Sequence, residues 1–261
     1  MQESYWNKDF SYSKNEIFSQ LQIPQDTPFF ARLDGRRFQA ISEKIGADKP
    51  FDLRFAKCLV ASTRAVFKSN FNPALAYVAS DEINALFLYA APFRRRIEKI
   101  NSILAGIVSS AFSLSVAKIF KKKLITAFDS RIIVSSQEKI AEYLTWRQRD
   151  AWRNHSNAYA YWLFRRNGYK PSEAAKKLKG LKTKDLHETL FRHGINLTQT
   201  PAWQRRGILV YRAQYEKQVK NNWVTRRQIK ENWNLPLFSS KEGQYLIQQI
   251  LSWAKPSTGR G

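Results

Sequence analysis

The chain has 261 residues, 43% of them hydrophobic with 17 Phe, 11 Tyr and 8 Trp, which supports a packed core of one large domain or two small ones and excludes a disordered chain. Lys and Arg number 44 against 21 Asp and Glu, a net charge of +23 that asks for a polyanionic partner. Cys58 is the only cysteine, which excludes an intrachain disulfide and a thiolate zinc cluster. With no uninterrupted apolar run of the ~18 residues a spanning helix needs and no signal-peptide pattern, a cytoplasmic protein without a membrane partner is expected.

In chain order, residues 29–36 read as an extended apolar segment closing on Asp34, with Gly35 able to let backbone approach a phosphate. Apolar residues at helical spacing over 51–68 predict an amphipathic helix with Cys58 on its packed face. Two strands follow, 74–80 and 83–89, with Asp81 and Glu82 between them. A long helix over 94–120 and a strand region over 124–134 complete the order β-α-β-β-α-β. The fold class is therefore α+β, with a ferredoxin-like unit of the kind found in polymerase palms and class III nucleotide cyclases. Asp34, Asp81 and Glu82 then fall at the ends of neighbouring strands, where carboxylates can share two Mg²⁺ ions and act on a phosphoryl group.

The charge divides the chain. Residues 1–135 hold 20 basic and 12 acidic side chains, residues 136–261 hold 24 and 9, so a palm-like catalytic domain precedes a basic, largely helical half suited to RNA. Ser135 or Ser136 can cap a helix reaching Asn167 and ended by Gly168. In it Arg147, Arg149, Arg153, Arg165 and Arg166 alternate with Trp146, Trp152, Tyr159, Tyr161 and Trp162. Arginine beside aromatics suits RNA; equally, the aromatics are core and the arginines a solvated face. Residues four apart share a helix face, so Arg149 and Arg153, with Asn154, form the RNA-facing set, leaving Arg165 and Arg166 to another subunit or to solvent. His155, His187 and His193 lack a metal-ligand spacing and read as surface or RNA-facing groups. Shorter helices over 171–178 and 184–192 and a strand over 208–211 follow; beyond 213 the chain is mixed and basic, with a disordered tail expected at 256–261.

Six motifs in order are more specific than the topology: Arg32-Leu33-Asp34-Gly35-Arg36-Arg37-Phe38, Lys49-Pro50-Phe51-Asp52, Ser80-Asp81-Glu82, Arg95-Arg96-Ile97-Glu98-Lys99-Ile100, Phe128-Asp129-Ser130-Arg131 and Tyr143-Leu144-Thr145-Trp146-Arg147-Gln148. Over about residues 28–212 the chain resembles the histidine-tRNA guanylyltransferase family, reverse polymerases that extend the 5′ end of tRNA. The resemblance implies that Asp34, the Gly35 carbonyl and Asp81 hold two Mg²⁺ ions, with Glu82 as a supporting acid. It implies that the amides of Arg36, Arg37 and Phe38, together with Lys49, surround the triphosphate of one nucleotide, ATP, GTP or another, and that Arg96, Lys99 and Arg131 bind a second. Asp52 either contacts base or ribose or is the first-turn acid of its helix. Where eukaryotic members carry His-Ile-Asn-Asn, this chain has Trp152-Arg153-Asn154-His155. It is closer to the bacterial and archaeal guanylyltransferase-like branch, which repairs truncated tRNA 5′ ends. A homo-oligomer, dimer or tetramer, is also implied. The alternatives are a dedicated enzyme adding one G to histidine tRNA, a cyclase-like palm, which has no use for the basic half, and a non-catalytic RNA-binding protein, against which the three acids argue.

Overall fold

In the computed structural model, which describes residues 15–88, 91–220 and 222–254, the β-α-β-β-α-β order is found as expected. Strands β1 (Phe29–Gly35), β2 (Leu75–Ala79), β3 (Glu82–Phe87) and β4 (Phe128–Val134) pair antiparallel in the order β4-β1-β3-β2. Because side chains alternate along a strand, each strand serves two cores. Phe29, Ala31 and Leu33 of β1 with Ile83, Ala85 and Phe87 of β3 meet helices α2 (Leu53–Lys68) and α3 (Ile97–Phe120). Phe30 and Leu86 face the other way, toward α4 (Ile140–Arg166) and α8 (Lys241–Ala254). Arg32, Asp34, Glu82 and Asn84 share that second face by register and parity.

Helix α2 starts two residues later than its apolar stripe, because Asp52 accepts hydrogen bonds from the Arg54 and Phe55 amides and fixes the first turn. Its buried Ser62 and Thr63 return their hydroxyls to the carbonyls of Cys58 and Leu59, so neither is a polar defect. Helix α3 is long and apolar enough to span a membrane by length and composition alone. Here Ile100, Leu104, Val108, Phe112 and Val116, four residues apart, seal it onto the sheet. A seven-residue helix α1 (Phe38–Lys44), absent from the sequence reading, follows β1.

The second half departs further from expectation. Helices α5 (Pro171–Lys179) and α6 (Thr183–Arg192) pack on the C-terminal part of α4 through Ala160, Leu163, Phe164, Ala174, Leu186 and Leu190. After α7 (Ala202–Arg206) the chain turns through Gly207 at φ 77°, where a Cβ would lie 2.5 Å from the Tyr77 ring. It then forms β5 (Ile208–Val219) and β6 (Asn222–Asn232), a hairpin that extends the sheet to β4-β1-β3-β2-β5-β6. Only residues 208–211 of β5 pair with β2; the rest of the ribbon projects past the sheet. The segment after 213, read as mixed chain, is thus a strand pair and a terminal helix. The tail expected at 256–261 lies outside the described residues.

Candidate active site

The sheet brings Asp34 and Asp81 together at one end. Ser80, held at φ 56°, turns β2 into β3, and the Gly35 amide donates to the Asp81 carbonyl at 3.2 Å. A side chain at position 35 is excluded, since its Cβ would lie 2.4 Å from the Phe38 ring. Among the described residues no cation contacts either carboxylate, and Asp81 takes only the Ser80 hydroxyl, at 3.1 Å. Burial, reinforced by the charge of Asp34, pushes the Asp81 carboxyl up to about 6. Two repelling carboxylates with no counter-cation, in a chain of net charge +23, fit a divalent metal. Their oxygen donors and the neighbouring Gly35 carbonyl suit Mg²⁺, which keeps waters and takes phosphate oxygens rather than a full protein cage. That agrees with the absence, among the described residues, of any cluster of three metal-ligating side chains.

Glu82 is built differently from the supporting acid expected next to the metals. It points into the α4 face, where Arg147 grips it through two hydrogen bonds of 2.9 Å, Asn84 donates a third at 2.7 Å and Arg32 adds an ion pair at 2.7 Å. Arg147 also holds Asp150 at 2.9 Å, and Asn84 accepts from Tyr143 at 2.6 Å. Both Glu82 oxygens are saturated, so its work is to fasten α4 to the sheet beside Asp34. Arg147, one of the arginines that alternate with aromatics in the sequence, is buried in this network.

Beside the acids opens a cleft of about 1150 Å³ between the α1–α2 segment and α4 to α6. Lys49 reaches into it, bonded to the Ser42 hydroxyl and 5.6 Å from the centre of the Trp162 ring; burial lowers its pKa. Tyr161 and Trp162 line the opposite wall. Arg37, at φ 56°, leads into α1, and the Arg37 and Phe38 amides have no backbone acceptor among the described residues. The Arg36 amide does not join them, because it donates to the Ala127 carbonyl at 2.9 Å. Asp52 is a cap: its oxygens take the Asp48 amide at 2.8 Å, the Arg54 amide at 2.7 Å and the Arg54 guanidinium at 2.6 Å. Arg131 stands exposed on the α4 face of β4, paired with Asp129 at 2.9 Å. Arg96, the N-cap of α3, and Lys99 in its first turn lie on the other face, where Asn101 bonds Ser130. The three can meet a common ligand only around the edge of β4.

On α4, Arg149, Arg153 and Asn154 are exposed; Arg153 pairs with Asp150, and Asn154 lines both the large cleft and a 330 Å³ cavity that holds Asp34 and Asp81. Arg166 is exposed and donates to the Lys49 carbonyl of its own chain at 3.0 Å. His155, read as a surface group, is 1% exposed, stacked on Phe51 and Trp152, with Nε2 2.9 Å from the Thr200 hydroxyl. Sequence reasoning also missed the basic β5–β6 ribbon, which carries Lys217, Lys220, Arg226, Arg227 and Lys230 with exposed Tyr215 and Trp223.

Burial, with the nearby Arg205 charge, lowers the His155 pKa from 6.5 to about 4. Between those values the unfolded chain binds the proton that the folded chain refuses. Stability is therefore full above about pH 6.5 and falls by up to about 3 kcal/mol as pH drops toward 4. Urea midpoints measured across this range should fall steeply for the parent protein and less for His155→Phe; parallel curves would remove His155 as the cause.

Residues 10–136 match the family model described as tRNAHis guanylyltransferase, and residues 138–244 the model described as Thg1 C terminal domain. A probable tRNA(His) guanylyltransferase of Drosophila melanogaster is 32% identical over 187 residues, 69% of this chain; the chain spans 65% of that relative's length. The tRNA(His) guanylyltransferase of Schizosaccharomyces pombe is 28% identical over 93% of this chain and 90% of its own. Among solved structures, a bacterial tRNA(His) guanylyltransferase (Thg1)-like protein in complex with ATP superposes with a TM-score of 0.75, covering 91% of this chain and 96% of its own. At 24% identity that is a likeness of fold.

Proposed function

The chain belongs to the tRNA(His) guanylyltransferase family, and from that premise we propose that it is a Mg²⁺-dependent, template-directed nucleotidyltransferase extending the 5′ end of tRNA in the 3′-to-5′ direction. The observation that carries the reading is the pair Asp34 and Asp81, lacking any cationic partner among the described residues, beside an aromatic-lined cleft into which Lys49 reaches. Mg²⁺ held by Asp34, Asp81 and the Gly35 carbonyl would neutralise phosphate charge and lower the pKa of an attacking hydroxyl. Lys49 and the first-turn amides of α1 orient the triphosphate, while Tyr161 and Trp162 offer faces for a base. The RNA 5′-phosphate displaces pyrophosphate from ATP or GTP; the 3′-hydroxyl of the incoming nucleotide then displaces AMP or GMP and forms the phosphodiester. Arg149, Arg153 and the β5–β6 ribbon supply charge for the tRNA backbone. A cytoplasmic enzyme working as a homo-oligomer is part of the same reading.

Repair of a truncated 5′ end is preferred over G addition to intact histidine tRNA, because Trp152-Arg153-Asn154-His155 stands where eukaryotic relatives carry their selection motif, and the structure spends His155 on packing. Full-length histidine tRNA and 5′-truncated tRNAs, offered in parallel with each of the four nucleotides, test this. The truncated RNAs should be extended by the base complementary to the template. Addition of G opposite every template base, or a strict need for the histidine anticodon, would refute the repair reading.

A further inference from the structure

Next to the nucleotide cleft lies a second cavity of about 570 Å³, between α6 and residues 195–198, which none of the roles above uses. The two share Trp152 and Thr183 as a common wall. Helix α6 turns Leu186 and Leu190 into the core, so Lys184, His187 and Phe191 form a separate stripe that faces this cavity. Phe191 is 65% exposed on it. The His187 ring stands at 90° to Trp152, centroids 5.9 Å apart, and its Nε2 is buried without a hydrogen-bond partner. Across the cavity the Asn196 Oδ1 is fixed by the Thr198 amide at 3.0 Å and hydroxyl at 2.7 Å, which leaves the Asn196 Nδ2 to donate elsewhere. The one acid in the wall, Glu188, is neutralised by Arg192 at 3.0 Å.

We propose that this slot binds an unpaired nucleotide of single-stranded RNA. Phe191 and Trp152 supply aromatic surface for the base, Asn196 supplies a hydrogen-bond donor for its edge, and Lys184 takes a phosphate. The proposal rests on the tRNA reading: a 5′ end extended against a template is paired there, so the strand that continues past the last pair is the unpaired 3′ one. Trp152 divides the cleft where the new nucleotide sits from the slot where that strand continues. Template and overhang are then held on either side of one residue.

The test compares two synthetic RNA hairpins, one blunt and one with a four-nucleotide 3′ extension, by fluorescence anisotropy. The intact protein should bind the extended hairpin about tenfold tighter, as one stacked base allows. Phe191→Ala should abolish that preference without weakening the blunt hairpin, and Phe191→Tyr should restore it. Position 191 is on the surface, so these variants fold, and unchanged GTP binding verifies it. Equal affinity of the intact protein for both RNAs, or a preference that survives Phe191→Ala, overturns the slot while leaving the tRNA reading intact. Failure to bind either RNA overturns both.

Discussion

Asp34→Asn and Asp81→Asn should each cost at least ~10²-fold in nucleotide transfer while making the metal-free protein more stable. The two effects share one cause. A carboxylate pushed up to about 6 by burial and by the charge of Asp34 is a group the fold holds at a cost. No cation contacts either acid among the described residues, although the chain carries 44 Lys and Arg and two arginines are spent on Glu82 nearby. Removing one charge relieves the repulsion, on the order of 1 kcal/mol, or roughly 2–4 °C in melting temperature for a chain of this size. The same change removes an oxygen donor from the metal site, and excess Mg²⁺ should stabilise the parent protein more than either variant. Melting curves with and without Mg²⁺, run beside a transfer assay, read both halves. A variant that keeps near-full turnover, or melts below the parent without metal, would show that the pair is not a metal site.

What the sequence made legible follows from periodicity. The strands around Asp34 and Asp81 alternate between two buried faces, and α2 and α3 keep one apolar stripe each, so order and topology could be read before any coordinates. The β5–β6 ribbon could not, because beyond Ala213 both of its faces meet solvent and nothing alternates. Helix α8 was readable in principle from Leu246, Ile247, Ile250 and Leu251, and was hidden by the polar chain before it. Within the site, residue types misled wherever pairing decided the role. Arg147, Arg149 and Arg153 look alike in sequence, yet Arg147 is buried on Glu82 while the other two are exposed, because α4 turns only Arg147 toward the sheet. The motifs assign the Arg36 amide to a nucleotide and leave Asp52 between a nucleotide and its helix, and the structure spends both on the fold itself, bonding Ala127 and capping α2.

The Glu82–Arg147 pair is where stability and catalysis are most tightly joined, and its loss is expected to be the largest single destabilisation in the chain. Arg147→Met removes two of the three hydrogen bonds to a carboxylate that is 9% exposed, and leaves Asp150 without its inner partner. Breaking one side of a buried pair costs about 3–5 kcal/mol, and Arg32 and Asn84, which stay in place, hold the figure to the lower part of that range. Replacing both partners, Glu82→Leu with Arg147→Met, should recover part of the loss, because the carboxylate stripped of its Arg147 donors is gone; the recovery stays partial because Arg32 then loses its ion-pair partner. Urea unfolding of the two single variants and the double variant measures the coupling directly. Catalysis separates this role from direct metal ligation. A residue that fastens α4 beside Asp34 will lower turnover when changed to Gln without shifting the Mg²⁺ concentration needed for half-maximal rate, whereas a metal ligand will shift it. If Glu82→Gln is as stable as the parent and needs much more Mg²⁺, Glu82 works on the metal and the hydrogen bonds and ion pair that enclose it here must open during turnover.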